Sequence, residues 1–417
     1  MSAIHFEHTR PDLARPARRG RLTTPHGTIE TPAFVVVGTQ ATVKSLQPEE
    51  VAQLGAEAVL CNTYHLYLRP GADLVAELGG LHRFMGWDGP MFTDSGGYQV
   101  FSLGSGIEHG IGKVVGMFPD EDTKSRKVAS ADARARQAGT PAPRRALSKV
   151  DDDGVTFRSH IDGSTHRLTP ESSIAIQEKL GADVILAFDE PTSPLHDRGY
   201  TATAMHRTHR WAERCLAARS RADQAFYGIV QGGAYQKQRE QSAAFIGALP
   251  FDGFAIGGSL GKSKRDMERV MEWSVPALPE DRPRHMLGIG EPEDLFACVE
   301  RGIDTFDCVA PTRLARRGIL LTATGRMTIS KAIYKADSAP IEAGCGCPTC
   351  RSFTRAYLRH LFVADELLAY TLATMHNLHF ILSLMASIRA ALVDGTYDAL
   401  KERVLGGWLS ARRPATA

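Results

Sequence analysis

The sequence predicts an α/β fold, a (β/α)8 TIM barrel with a small cysteine-rich unit appended near the C-terminus. Three observations predict it. Eight short apolar runs are spaced along the chain, helical patterns lie between most of them, and three cysteines crowd into Cys345–Cys350 after the last run. Run after run ends in polar residues or glycine, as the C-terminal catalytic face of a barrel requires. A doubly wound open sheet is the rival, but the first run lacks the Gly-rich phosphate fingerprint that such a sheet carries.

The runs are taken in order. Thr31–Val37 is β-branched and aromatic and closes at Gly38, and Ala58–Cys61 ends in Asn62-Thr63-Tyr64-His65. Pro90–Thr93 ends in Asp94-Ser95-Gly96-Gly97, and Val184–Phe188 ends in Asp189-Glu190-Pro191. Phe226–Val230 ends in Gln231-Gly232-Gly233, and Phe254–Ile256 ends in Gly257-Gly258. Met286–Ile289 ends in Gly290-Glu291-Pro292, and Ile303–Phe306 ends in Asp307-Cys308. Helices are expected over 47–54, 201–219, 236–249, 263–273 and 292–301. Another runs from Pro170 to Leu180, with Thr169 as N-cap and the proline at the first helical position.

Two segments exceed a minimal barrel. The barrel is assigned to residues 1–338, interrupted by an insertion at about 104–153. Within 121–149 there are eight Lys/Arg, three Asp/Glu and only two bulky aliphatics, Val128 and Leu147. Such a stretch buries too little apolar surface to offset its ordering entropy, so it reads as a flexible basic insertion or an RNA-touching arm. Residues 339–417 form the appendix, with helices expected over 353–375 and 377–393.

Of 417 residues, 43% are hydrophobic and 23% charged, which excludes wholesale disorder and fibrous repeats. Lys and Arg total 49 against 47 Asp and Glu, so the formal charge of +2 neither demands nor excludes nucleic acid. No apolar run approaches the roughly 18 residues of a membrane span. The N-terminal Met-Ser-Ala-Ile-His-Phe-Glu-His lacks a charged segment followed by an apolar core, so neither membrane nor secretory signal is expected.

Cys345-Gly-Cys347-Pro-Thr-Cys350 suits a metal better than mutual disulfides, which points to a reducing cytoplasm. Three thiolates need a fourth ligand, and His360, His376 and His379 are candidates. A closed tetrahedral Cys3His site would hold structural zinc. Asp94, Asp189 and Asp307 each follow an apolar run. A lone aspartate there is more often a helix cap, but three at one barrel mouth suggest chemistry. The Gly-Gly pairs admit close ligand approach, and Arg313, Arg316 and Arg317 beside Asp307 suggest phosphate or base recognition.

The set Phe92-Thr-Asp-Ser-Gly-Gly-Tyr-Gln99, Val230-Gln-Gly-Gly233, Gly257-Gly258, Phe306-Asp-Cys-Val-Ala-Pro-Thr-Arg313 and CxCxxC resembles the tRNA-guanine transglycosylases, or queuine tRNA-ribosyltransferases. The resemblance covers nearly the whole chain apart from 104–153. It implies an irregular (β/α)8 barrel with a zinc-binding subdomain, a tRNA substrate and a homodimer. The implied reaction exchanges guanine at the anticodon wobble position of tRNAs with GUN anticodons for a 7-deazaguanine base. Asp307 matches the nucleophile and Asp94 the general acid/base. Tyr98 and Leu287 match the residues that sandwich the base, while Asp189, Gln231 and Gly258, with Ser95 and Gly257 beside them, match those reading its edge. Thr312, Arg313 and Arg316 match the anticodon contacts, and Cys345, Cys347, Cys350 and His376 match the zinc ligands. An accessory, non-catalytic relative would be expected to lack the carboxylates that this chain keeps.

Two departures bear on the incoming base. Pro191 stands where many bacterial members have cysteine, and Gly257-Gly-Ser-Leu-Gly-Lys-Ser263 replaces Gly-Gly-Leu-Ala-Val-Gly-Glu. Gly261 thereby replaces a valine, and Ser263 a glutamate able to pair with a cationic aminomethyl group. Both changes point to the bulkier queuine over the aminomethyl precursor, preQ1.

Overall fold

A computed structural model of the chain describes residues 3–10, 15–101 and 148–410. An antiparallel sheet comes first, with β1 His5–Thr9, β2 Arg19–Thr24 and β3 Gly27–Thr31. Then come β4 Ala33–Val37, β5 Val59–Cys61 and β6 Met91–Thr93. An antiparallel meander follows as β7 Ser148–Val150, β8 Val155–Arg158 and β9 Thr165–Leu168. The chain then adds β10 Val184–Leu186, β11 Ala225–Val230, β12 Gly253–Ile256, β13 Arg284–Met286 and β14 Thr305–Cys308. The eight strands β4 to β6 and β10 to β14 close into a parallel barrel, with β14 pairing β4 and β6 pairing β10. This is the (β/α)8 architecture that the alternating pattern predicts, and each expected run supplies one strand.

Period-two alternation sorts the barrel residues. Ala33, Val35, Val37, Leu60, Phe92, Val184, Leu186, Tyr227, Ile229 and Ala255 fill the interior, and Leu22 and Ile29 of the hairpin join them. Phe34, Val36, Ile185, Phe226, Phe254, Met286 and Phe306 instead pack against the helical shell. The same parity turns His285, Thr305 and Asp307 inward. Below them the buried Arg18 makes a bidentate pair with Asp304 (Nε–Oδ1 2.8 Å, Nη2–Oδ2 2.6 Å) and also donates to the carbonyls of Glu280 and Arg282. Every donor group of that cation thus has an acceptor, which is what makes burial of the charge tolerable.

The structure moves several expected boundaries. The seventh strand is Arg284–Met286 rather than 286–289, and the eighth extends to Cys308, so Asp307 lies within its strand and pairs with Val35. Ser148 and Lys149, expected in the basic insertion, begin β7, and residues 102–147 lie outside the described residues. The helices over that span are Arg355–Val363 and Leu368–Asp394, followed by Tyr397–Ser410, so His376 falls mid-helix rather than between helices. The break comes where Asp365 adopts a left-handed φ of 58°.

Helix Leu368–Asp394 is long and apolar enough to cross a membrane by length and mean hydropathy, although it has no uninterrupted apolar run. Half of its most apolar window is buried, and it packs on β4 and on strand β15 Ile319–Thr322, which pairs with β16 Gly325–Thr328. That is the behaviour of a core helix.

Candidate active site

Asp307 points into the barrel mouth with its side chain 13% exposed. Its Oδ1 accepts the Gly288 backbone N–H at 2.9 Å and lies 3.2 Å from His285 Nε2. The apolar-run reading placed His285 just before a strand, where it carried no signal. The observed register puts it opposite Thr305 and in reach of the aspartate.

Asp94 follows β6 and is held by donors from the neighbouring β5 end. Thr63 N–H and Gly96 N–H donate to Oδ1 at 2.8 and 3.3 Å, and Gln99 Nε2 donates to Oδ2 at 2.8 Å, joined there by Asn62 Nδ2. Burial raises its pKa above the usual aspartate value, and the Asp307 charge adds to the rise. The Asn62, Thr63 and Gln99 hydrogen bonds oppose it. A carboxyl pushed up by burial and pulled back by three donors is suited to hold a proton in one step and release it in another. Asn62 and Thr63 were visible as the polar end of a run, but nothing in the sequence tied them to Asp94.

Asp189 is buried beside this pair. Ser95 Oγ donates to Oδ1 at 2.9 Å and Gln231 Nε2 donates to Oδ2 at 2.6 Å, which fixes the amide orientation. Gln231 Oε1 is then a buried acceptor with no hydrogen-bond partner among the described residues. Such an atom costs free energy unless a ligand donor meets it. Gly258 has φ of +72°, and a Cβ there would lie 2.0 Å from Gln231 Oε1, so only glycine fits. Gly257 borders the same amide, and Leu287 lies beside Gly257. Tyr98 is 40% exposed on the Asp94 side. A residue that the sequence did not single out braces these loops. Buried Arg239 donates to the carbonyls of Val230, Gly233, Gly257 and Ser259 at 2.6–2.9 Å.

Beside Gly233 and Ser259 opens a cavity of about 400 Å³, lined also by Ser193, His196, Tyr235 and Gly261. Gly261 has φ of +92°, and a Cβ would meet the Asp266 side chain at 2.3 Å. The loop conformation therefore requires glycine, beyond any effect on cavity width. Pro191 stands two residues before the cavity wall at Ser193.

Arg313 is exposed, and Arg316 has its pKa lowered by burial and by the like charges of Arg313 and Arg317. An anion there would relieve that repulsion. Thr312 lies at the base of the same turn. It is 5% exposed, and its hydroxyl donates to Val309 O at 3.3 Å.

Cys345, Cys347, Cys350 and His376 converge, with His376 Nδ1 lying 3.8, 3.6 and 3.4 Å from the three sulfurs. Tetrahedral zinc with bonds of roughly 2.3 Å to sulfur and 2.0–2.1 Å to nitrogen puts S and N about 3.6 Å apart, so the donor set fits a metal ion. His376 Nε2 donates to Leu321 O at 2.7 Å, which leaves Nδ1 as the ligand atom. Adjacent Asn377 accepts from Leu321 N and donates to the carbonyls of Pro311 and Ile319. The helix that carries His376 thereby supports the Arg313 turn. Replacing His376 with alanine is expected to abolish stoichiometric metal and lower stability by about 3 kcal/mol where metal exceeds its Kd a hundredfold. Metal analysis and thermal melts with and without chelator check this.

The barrel mouth thus brings Asp94, Ser95, Asp189, Gln231, Gly258 and Asp307 together, with the Arg313–Arg317 turn and the Cys3His donor set on the following segment. Comparison with known proteins gives a consistent answer. The family model described as queuine tRNA-ribosyltransferase matches residues 12–113 and 132–409. A queuine tRNA-ribosyltransferase of Symbiobacterium thermophilum is 50% identical over 408 residues, covering 97% of this chain and 92% of that protein. One from Herpetosiphon aurantiacus is 49% identical over 407 residues with the same coverages, 97% and 92%. A putative queuine tRNA-ribosyltransferase of Archaeoglobus fulgidus is 47% identical over 398 residues, covering 93% and 96%. The chain belongs to the queuine tRNA-ribosyltransferase family and is an enzyme of the pentosyltransferase class.

Proposed function

We propose that the enzyme exchanges guanine at the wobble position of tRNAs with GUN anticodons for a 7-deazaguanine base, queuine, by double displacement. The observation that carries this reading is the pairing of two mouth carboxylates, Asp94 and Asp307, with the unsatisfied Gln231 Oε1 beside Asp189. In the first displacement, Asp307 forms a bond to the ribose anomeric carbon as the glycosidic electrons leave with guanine, which takes a proton from Asp94. The incoming base attacks the opposite face, Asp94 takes its proton, and the ester electrons return to Asp307. Two inversions restore the original configuration, as in retaining glycosidases. Gln231 Oε1 would accept from the base edge, with Tyr98 and Leu287 on its faces. Arg313 and Arg316 would hold anticodon phosphates or bases, with Thr312 shaping their turn.

We assign structural zinc to the Cys3His set, residues 1–338 to the catalytic barrel and 339–417 to the zinc-binding unit. A homodimer working in the reducing cytoplasm fits the family and the seven free cysteines. The cavity beside Gly261 supports queuine, because its cyclopentenediol needs volume that a valine in that loop would reduce. A competition assay tests the base. Queuine is expected to enter tRNA in preference to the aminomethyl precursor preQ1, and preferred insertion of preQ1 would overturn the assignment. Competition between free bases is the cleaner test, since Gly261→Val would also strain the loop.

A further inference from the structure

His285 is fully buried inside the barrel and stacks on Phe92 with ring centroids 5.7 Å apart. Its Nδ1 lies 2.9 Å from Thr305 Oγ1 and its Nε2 lies 3.2 Å from Asp307 Oδ1. An ionised carboxylate only accepts, so Nε2 carries the proton and the Thr305 hydroxyl donates to Nδ1. Oδ1 also accepts from Gly288 N–H at 2.9 Å. Both in-plane lone pairs of Oδ1 therefore meet fixed donors.

We propose that His285 is a positioning residue that anchors Oδ1 of Asp307, makes Oδ2 the bond-forming oxygen, and stabilises the carboxylate as a leaving group. The inference rests on the double-displacement reading above. In the first displacement an Oδ2 lone pair forms the bond to the anomeric carbon while the C–N electrons depart with guanine. Oδ1 becomes the ester carbonyl oxygen and keeps both donors. In the second, the base nitrogen forms the new C–N bond and the C–Oδ2 electrons return to the carboxylate. Negative charge then builds on Oδ1, and the His285 and Gly288 hydrogen bonds strengthen with it. Removing the imidazole donor should consequently slow breakdown of the ester more than its formation.

The test compares wild type, Asp307→Ala, His285→Phe, His285→Gln and Thr305→Val in steady-state and single-turnover exchange on undermodified tRNA. His285→Phe is expected to lower kcat by roughly 10- to 100-fold, with the apparent KM for tRNA falling alongside it because more enzyme is held as covalent tRNA adduct. His285→Gln, which keeps a donor near the Nε2 position, should recover most of the rate. Thr305→Val, which frees the imidazole from its orienting partner, should shift rate and adduct in the same direction but less. Wild-type kcat in His285→Phe would overturn the proposal, as would equal losses in the Phe and Gln variants with no rise in adduct. Should His285→Phe fail to fold, full activity in Thr305→Val with unchanged adduct would overturn it. No exchange by wild type would instead sink the double-displacement reading itself, and the Asp307→Ala arm separates these cases.

Discussion

Asp307→Ala is expected to lower base exchange by roughly 10⁴-fold or more, with tRNA binding little changed. The size follows from the role. Without the carboxylate, no group at the end of β14 can capture the developing oxocarbenium ion, and no covalent intermediate divides the reaction in two. The fold should survive, because the side chain is partly open to the mouth and the strand's own pairing with β4 runs through backbone atoms. Asp307→Asn retains the shape and most hydrogen-bonding capacity, so it should be nearly as inactive, which isolates the nucleophile from packing. Guanine exchange at saturating tRNA, with binding measured separately, checks both variants. Binding lost in parallel with rate would point to misfolding instead.

Asp94→Ala is expected to cost roughly 10²- to 10⁴-fold in exchange, the usual range for a general acid/base. Loss should fall on kcat, since the carboxyl acts on a proton rather than on tRNA. The raised pKa adds a signature in pH. Burial pushes Asp94 up, and the donors Asn62, Thr63 and Gln99 pull it back toward the anion. Any step that needs the carboxylate fails as pH falls through that raised value. Asn62→Ala removes one stabilising donor, so the acid limb of the rate profile should move to higher pH. An unmoved limb in Asn62→Ala would remove Asp94 from the proton path.

Much of the site was legible because barrel strands end in exposed chemistry. Asp94, Asp189 and Gln231 stand where an apolar run gives way to polar residues, and the glycines beside Gln231 are forced by close approach. His285 was hidden because its strand is three residues long and the visible apolar run starts after it at Met286. Only strand parity and pairing with Thr305 reveal its direction. Arg239 sits on a helix with ordinary polar neighbours, and its burial against four carbonyls depends on loops that meet only in three dimensions. The helix break at 364–367 carries no Gly or Pro signal, so the pattern misplaced it near His376. The N-terminal sheet alternates polar and apolar residues weakly, and its plugging role emerges from the barrel bottom that Leu22 and Ile29 fill.

Incubation of undermodified tRNA and labelled guanine with wild type and with Asp307→Ala tests the central chemistry most directly. Label should enter tRNA with the wild type, without ATP or a redox cofactor, and should be absent with the variant. Undiminished label with Asp307→Ala would contradict the assignment of Asp307 as the nucleophile.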